Sequence, residues 1–152
     1  MFNLKKFIIF LFIPIVIGFI GSLLGNSSMG FNLIDKPSFS PPGILFPIVW
    51  TILYLLMGIS SYLISISNNK HKNCALIVYI LQLLVNMLWT FFFFNLKWYL
   101  FSFIWIILLI GLVIIMIIKF YKINKTAAYL QIPYLLWLVF AAILNFSIYL
   151  LN

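Results

Sequence analysis

This chain of 152 residues has no arginine, one acid (Asp35), one histidine (His71) and one cysteine (Cys74). Each scarcity removes a class of function. One Cys, one His and one carboxylate cannot assemble a metal site, so none is expected. A lone cysteine excludes an intrachain disulfide, and Cys74, near the start of an apolar stretch, reads as a small apolar filler. No acid–base pair or activated nucleophile is visible, so no catalytic residue is assigned from the pattern. No glycine-rich phosphate loop appears. No ionisable side chain lies deep in an apolar stretch, which argues against a proton relay or an ion pump. Haem ligation would have only His71, in a lysine-rich turn.

Apolar residues are abundant instead. The chain is 66% hydrophobic, 20% aromatic and 7% charged, with a mean hydropathy of +1.27. A soluble domain of this size cannot hide so much apolar surface, so the solvent is largely lipid. Five stretches reach the ~20 residues needed to cross a bilayer as a helix. They run roughly over 7–25, 44–66, 75–95, 98–118 and 127–151. They are too long for barrel strands and lack period-two alternation, which leaves helices. The expected fold is an all-α membrane protein, a bundle of five transmembrane helices forming a single domain over 1–152. Lys5 and Lys6 before the first apolar run resemble the start of a signal peptide. The run is long and four more follow, so it is read as a retained first span.

Lysine gives the orientation. An odd number of spans places Lys5, Lys6, Lys70, Lys72, Lys119, Lys122 and Lys125 on the N-terminal side, and Lys36 and Lys97 on the other. That asymmetry predicts a cytoplasmic N-terminus and an external C-terminus. It also explains the net charge of +8 through anionic headgroups, with no nucleic-acid partner.

The longest connection, roughly 26–43, lies between spans one and two. Asn26-Ser27-Ser28 breaks the first helix. Pro37, Pro41 and Pro42 hold the rest extended. Phe31, Ile34 and Phe39 give this strap apolar side chains. It is either a Pro-rich lid over the bundle mouth or a tight connector. The other loops, 67–74, 95–98 and 119–126, are short and predict antiparallel neighbours. Pro14, Pro47 and Pro133 fall inside spans and predict bends. Gly18, Gly21, Ser22 and Gly25 are spaced for close helix approach, at a dimer seam or within the monomer.

Three spans carry inward stripes at helical spacing. The second offers Trp50, Tyr54 and Ser61. The third offers Gln82, Asn86, Trp89 and Phe93. The fifth offers Tyr134, Trp137, Ala141 and Asn145. Aromatic walls with a few amides and hydroxyls suit a flat hydrophobic ligand, and Ala141 leaves space. A pocket between spans two, three and five is one reading. The other is packing, with Asn86 and Asn145 as interhelical hydrogen-bond glue. Trp98 and Tyr99 read as interface anchors and Trp105 as packing.

The order K-P, P-P-G, P-x-V-W-T-x-L-Y, M-G over 36–58 resembles the translocator protein / tryptophan-rich sensory protein family, also called peripheral-type benzodiazepine receptors. Gln82-Leu83-Leu84-Val85-Asn86 with Trp89, Phe92 and Phe93 is similar to a second family motif. Pro133-Tyr134-Leu135-Leu136-Trp137 with Phe140, Ala141, Leu144 and Asn145 is similar to a third. The resemblance runs over nearly the whole chain. It implies a five-helix bundle, often a homodimer, whose first loop caps a pocket for porphyrins, isoquinoline-carboxamide or benzodiazepine drugs and sterols. On matching positions it implies that Trp50, Tyr54, Asn86, Phe93, Trp137 and Ala141 line the pocket and that Pro42 places the lid. Phe31, which stands where the family has a tyrosine, and Asn145 complete the expected ligand-binding set. The expected ligand is protoporphyrin IX or a related tetrapyrrole, with no cofactor required. The expected location is a bacterial cell membrane, with membrane lipid as a partner.

The departures are specific. Gly30 and Phe31 replace the family's Trp-Tyr, and Phe39 replaces a loop tryptophan. The resemblance also implies light-driven porphyrin breakdown, with Trp50 and Trp137 as its carriers, and the missing loop tryptophans weigh against it. A tetrapyrrole or lipid transporter is a further reading. Tyr149 lacks a following basic residue, which argues against tight sterol binding.

Overall fold

The computed structural model describes residues 1–26 and 30–152. Helix α1 covers Leu4–Gly25. Asn3 caps its start, with Oδ1 accepting from the Lys6 N–H at 3.0 Å. Asn26, at a left-handed φ of 50°, ends it. A 3-10 turn at Phe31–Leu33 opens the described part of the first connection. Helix α2 is Leu45–Ser65, and α3 is Lys72–Thr90 followed by a π-helical turn at Phe91–Asn95. Helix α4 is Tyr99–Ile123, α5 is Lys125–Leu130 and α6 is Ile132–Leu151. Among the described residues, five segments are long and apolar enough to span a bilayer: α1, α2, α3 with its π turn, α4, and α5 with α6. The expected all-helical architecture stands, and the chain is a multi-pass membrane protein. Its seven lysines from the first side of the count gather at one end of the bundle, where α1 begins, α2 meets α3 and α4 meets α5.

The boundaries shift for physical reasons. The fourth span runs on to Ile123 because Asn124 alone makes the corner, its Oδ1 accepting from the Ala127 N–H at 3.1 Å. The fifth span is broken at Gln131. Pro133 therefore sits in the first turn of α6, and Pro47 in the first turn of α2. There a proline removes no intrahelical bond and need not bend the helix. Only Pro14 lies in a helix interior, as all three were expected to. Ser27 and Ser28, part of the expected helix break and of the lid loop, lie outside the described residues. Cys74, read as a small apolar filler, is exposed, with Lys119 Nζ 3.6 Å from its Sγ.

Helix α1 packs on α2 and α3, and α4 packs on α3 and α6. The small residues of α1 serve these contacts within the chain. A Cβ on Gly25 would stand 2.7 Å from the Thr90 carbonyl oxygen, and one on Gly21 3.4 Å from Met87 Cα. The α1 stripe faces α3, so it is not a free dimer seam. Helix α2 packs on α5, where Ser60 Oγ donates to the Ala127 carbonyl at 2.7 Å, but it does not pack closely on α6. The break at Gln131 thus lets α6 diverge from α2. Rings bridge that gap: Trp50 to Tyr134 at 6.1 Å and Phe46 to Trp137 at 5.8 Å.

Candidate functional site: an aromatic cavity at the loop end

Where α2 and α6 diverge, the bundle holds a cavity of about 720 Å³. That volume is in the range of small-molecule sites. It lies at the end of the bundle opposite the lysine-rich turns, under the connection between α1 and α2.

Eight of the nine residues expected to bind ligand line it: Phe31, Trp50, Tyr54, Asn86, Phe93, Trp137, Ala141 and Asn145. Pro42 does not. It is exposed, and the next two residues, Gly43 and Ile44, reach the cavity instead. Proline's fixed φ shapes the approach of this segment to α2 without contact from its own ring. The inward stripes divide at mid-bundle. Their upper parts line the cavity, while Ser61, Gln82 and Tyr134 fill the core below. There the Tyr134 hydroxyl donates to Gln82 Oε1 at 2.8 Å.

The walls are flat rings. Trp50 stacks on Tyr54, with centroids 5.5 Å apart and planes at 29°. Trp89 stacks on Phe93 at 5.1 Å and 23°. The π turn adds one residue to the helical repeat, closed by the Leu96 N–H donating to the Phe91 carbonyl at 3.2 Å. Phe93 and its neighbour Phe94 consequently both line the cavity, which an unbroken α-helix would not favour.

Polar atoms are few and unequally committed. Asn145 Oδ1 accepts from Trp89 Nε1 at 3.0 Å, and its Nδ2 donates to the Tyr99 carbonyl at 2.8 Å. It therefore joins α3, α4 and α6, the glue role, and both its atoms have partners. Tyr54 and Asn86 bring a hydroxyl and an amide to the cavity wall. Trp137 Nε1 is buried and has no partner among the described residues. Replacing Asn145 with alanine strands the Trp89 N–H and removes a second bond to the Tyr99 carbonyl. The expected loss is about 1–3 kcal/mol of stability, read as a lower thermal midpoint in detergent. An unchanged midpoint would contradict the bridging role.

From the first connection, Phe31 lines the cavity and Ile34 packs beside it. Phe31 meets Phe46 at 4.7 Å, with Lys36 Nζ 4.2 Å above its ring. Ile34 is buried against Phe93, Leu144 and Ile148. Phe39 is half exposed and takes no such part. Asn152 ties this segment to the end of α6: Nδ2 donates to the Asp35 carbonyl at 2.9 Å, and Oδ1 accepts from the Asp35 N–H at 3.3 Å.

The sequence reading missed a whole wall. Ile15, Gly18, Phe19 and Ser22 of α1 also line the cavity. The signal was the small-residue spacing of Gly18 and Ser22, which marks a close helix approach without saying to what. Gly18 lies against the Tyr54 ring. Phe19 and Ile44 line the cavity although they are 64% and 71% exposed, so its rim meets the lipid-facing surface. Trp105 packs as expected, its Nε1 donating to the Val85 carbonyl at 2.8 Å, and Trp98 is exposed at the head of α4.

Known proteins are similar to this chain over most of its length. A tryptophan-rich protein TspO from Archaeoglobus fulgidus is 37% identical over 99% of this chain and 99% of its own length. One from Chlorobaculum tepidum is 34% identical over 91% and 90%. The translocator protein of Sus scrofa is 30% identical over 92% of this chain and 86% of its own. The similarity therefore spans the whole cavity-bearing bundle, and the TspO/MBR family model matches residues 10–151, so the chain belongs to the TspO/MBR family.

Proposed function

We propose that this membrane protein binds protoporphyrin IX or a related tetrapyrrole in the cavity between α1, α2, α3 and α6. The observation that carries this reading is a chamber of about 720 Å³ walled by stacked rings, Trp50 on Tyr54 and Trp89 on Phe93. Ring faces suit a planar conjugated ligand. Asn86 and Tyr54 supply polar contact, whereas Asn145 acts by holding Trp89 in place. Isoquinoline-carboxamide compounds are expected to compete. Protoporphyrin titrated into detergent-solubilised protein should give a saturable Soret shift that such a competitor reverses. A shift that no competitor displaces would argue for partitioning into the micelle.

The segment from Phe31 to Ile44 acts as the lid in this reading, and Asn152 is its latch. Asn152→Ala removes two bonds to Asp35 and should speed ligand release roughly fivefold, measured by stopped-flow competition. Equal release from both proteins would make the segment a connector. The N-terminus is taken as cytoplasmic on the lysine asymmetry, which places the cavity on the outer side. A homodimer would have to use a face other than the α1 stripe.

Trp50, Trp89 and Trp137 all border the cavity, which supports light-driven breakdown of the bound porphyrin as a second reading. Illumination in air separates the two. Soret loss faster than in empty micelles favours breakdown, and loss at the micelle rate favours binding alone.

A further inference from the structure

At the end opposite the cavity, two cations converge on one oxygen. Lys6 Nζ, from the first turn of α1, donates to the Ser65 carbonyl at 3.1 Å. Lys72 Nζ, from the start of α3, donates to the same carbonyl at 3.3 Å and to that of Ser67 at 3.0 Å. These carbonyls close α2, where the helix dipole favours positive charge. The arrangement is held from both sides. The Asn3 N–H donates to the Tyr62 hydroxyl at 2.8 Å, and the Phe7 ring packs on Tyr62 at 5.2 Å, fixing the start of α1 against α2. Asn69 Oδ1 accepts from the His71 N–H at 2.8 Å, shaping the turn that delivers Lys72.

Two ammonium groups on one carbonyl repel each other, and a neutral oxygen does not balance them. The one acid of the chain, Asp35, is tied to Asn152 at the far end of the bundle. The balancing anion must come from outside the chain. Each ammonium has three donors, and these contacts use one on Lys6 and two on Lys72, so three N–H groups remain for it. The next residue along α3, Asn73, borders a surface groove of about 400 Å³ together with Leu76, Ile77 and Ile80. Its head is polar and its length apolar, and it starts at the residue after Lys72.

We propose that Lys6 and Lys72 form a site for the phosphate of an anionic membrane phospholipid, with an acyl chain lying along the α3 groove. The pair supplies charge-assisted hydrogen bonds to phosphate oxygens. The groove separates a lipid from a free anion.

Thermal unfolding of the full chain in detergent tests this with three additives: phosphatidylglycerol, phosphatidylcholine of the same chains, and inorganic phosphate. Phosphatidylglycerol should raise the midpoint saturably, and the other two should not. In Lys6→Gln/Lys72→Gln the half-saturating concentration should rise roughly tenfold or more. Lys125→Gln, at the same end but over the Tyr121 ring, should respond like the parent. If the double variant does not fold, native mass spectrometry of the parent replaces it, and phosphatidylglycerol should be retained over phosphatidylcholine at equal supply. An undiminished response in the double variant would overturn the proposal, as would equal retention of the two lipids. An equal rise with inorganic phosphate would also overturn it, making the pair a site for a free anion only.

Discussion

Trp137→Ala should weaken protoporphyrin IX binding by ~1–3 kcal/mol, roughly 5- to 150-fold. The substitution removes a large ring that closes the α6 side of the cavity, between Phe46 at 5.8 Å and Phe140 at 5.3 Å. Trp98→Ala is the matched control, because Trp98 is exposed at the head of α4 and borders no part of the cavity. Isothermal titration in the dark should therefore separate the two variants. Equal affinity for both would remove Trp137 from the site.

Gly58→Ala should cost about 1–3 kcal/mol of stability, although it adds a single methyl group. A Cβ there would stand 2.7 Å from Leu11 Cα and 3.0 Å from the Phe10 carbonyl oxygen. Both are backbone atoms of α1, so neither can step aside as a side chain would. Relief requires moving α1 away from α2, and α1 is also a cavity wall. Ligand affinity should therefore fall with stability. Gly111→Ala provides the contrast, since a Cβ there meets nothing within 4 Å in the middle of α4. Alanine is the better helix former, so that variant should be neutral or slightly more stable. Thermal midpoints of the two variants, measured side by side, decide the point. A Gly58→Ala protein as stable as the parent would mean that the α1–α2 contact is looser than described.

How much of this was legible in the sequence follows from what helical periodicity encodes. Trp50 with Tyr54, Asn86 with Phe93, and Trp137 with Ala141 were found because residues on one face of a helix share surroundings. Periodicity does not say how far along the bundle axis a residue sits. Gln82 and Tyr134 were on the same stripes, yet they pair with each other in the core below the cavity. The α1 wall was hidden because a nearly all-apolar helix has no distinct inward face. Its glycines announced close approach but not the partner. The π turn was hidden because four consecutive phenylalanines look alike from every direction, and the register changes within them. Pro133 suggested a bend inside one helix, whereas a helix break at Gln131 accommodates the proline in the first turn of α6. Asn145 was ambiguous between ligand contact and glue. In the structure it lines the cavity and also makes two interhelical hydrogen bonds, one of which aims the Trp89 ring.

The central claim is a specific tetrapyrrole site in a membrane protein that carries no buried charge with which to hold one. The most direct test is quenching of intrinsic tryptophan fluorescence by protoporphyrin IX, with detergent-purified protein in the dark. Trp50, Trp89 and Trp137 border the cavity, so a ligand there should quench strongly and saturate at one equivalent per chain. Linear quenching that never saturates, and that matches free tryptophan analogue in the same micelles, would contradict the claim.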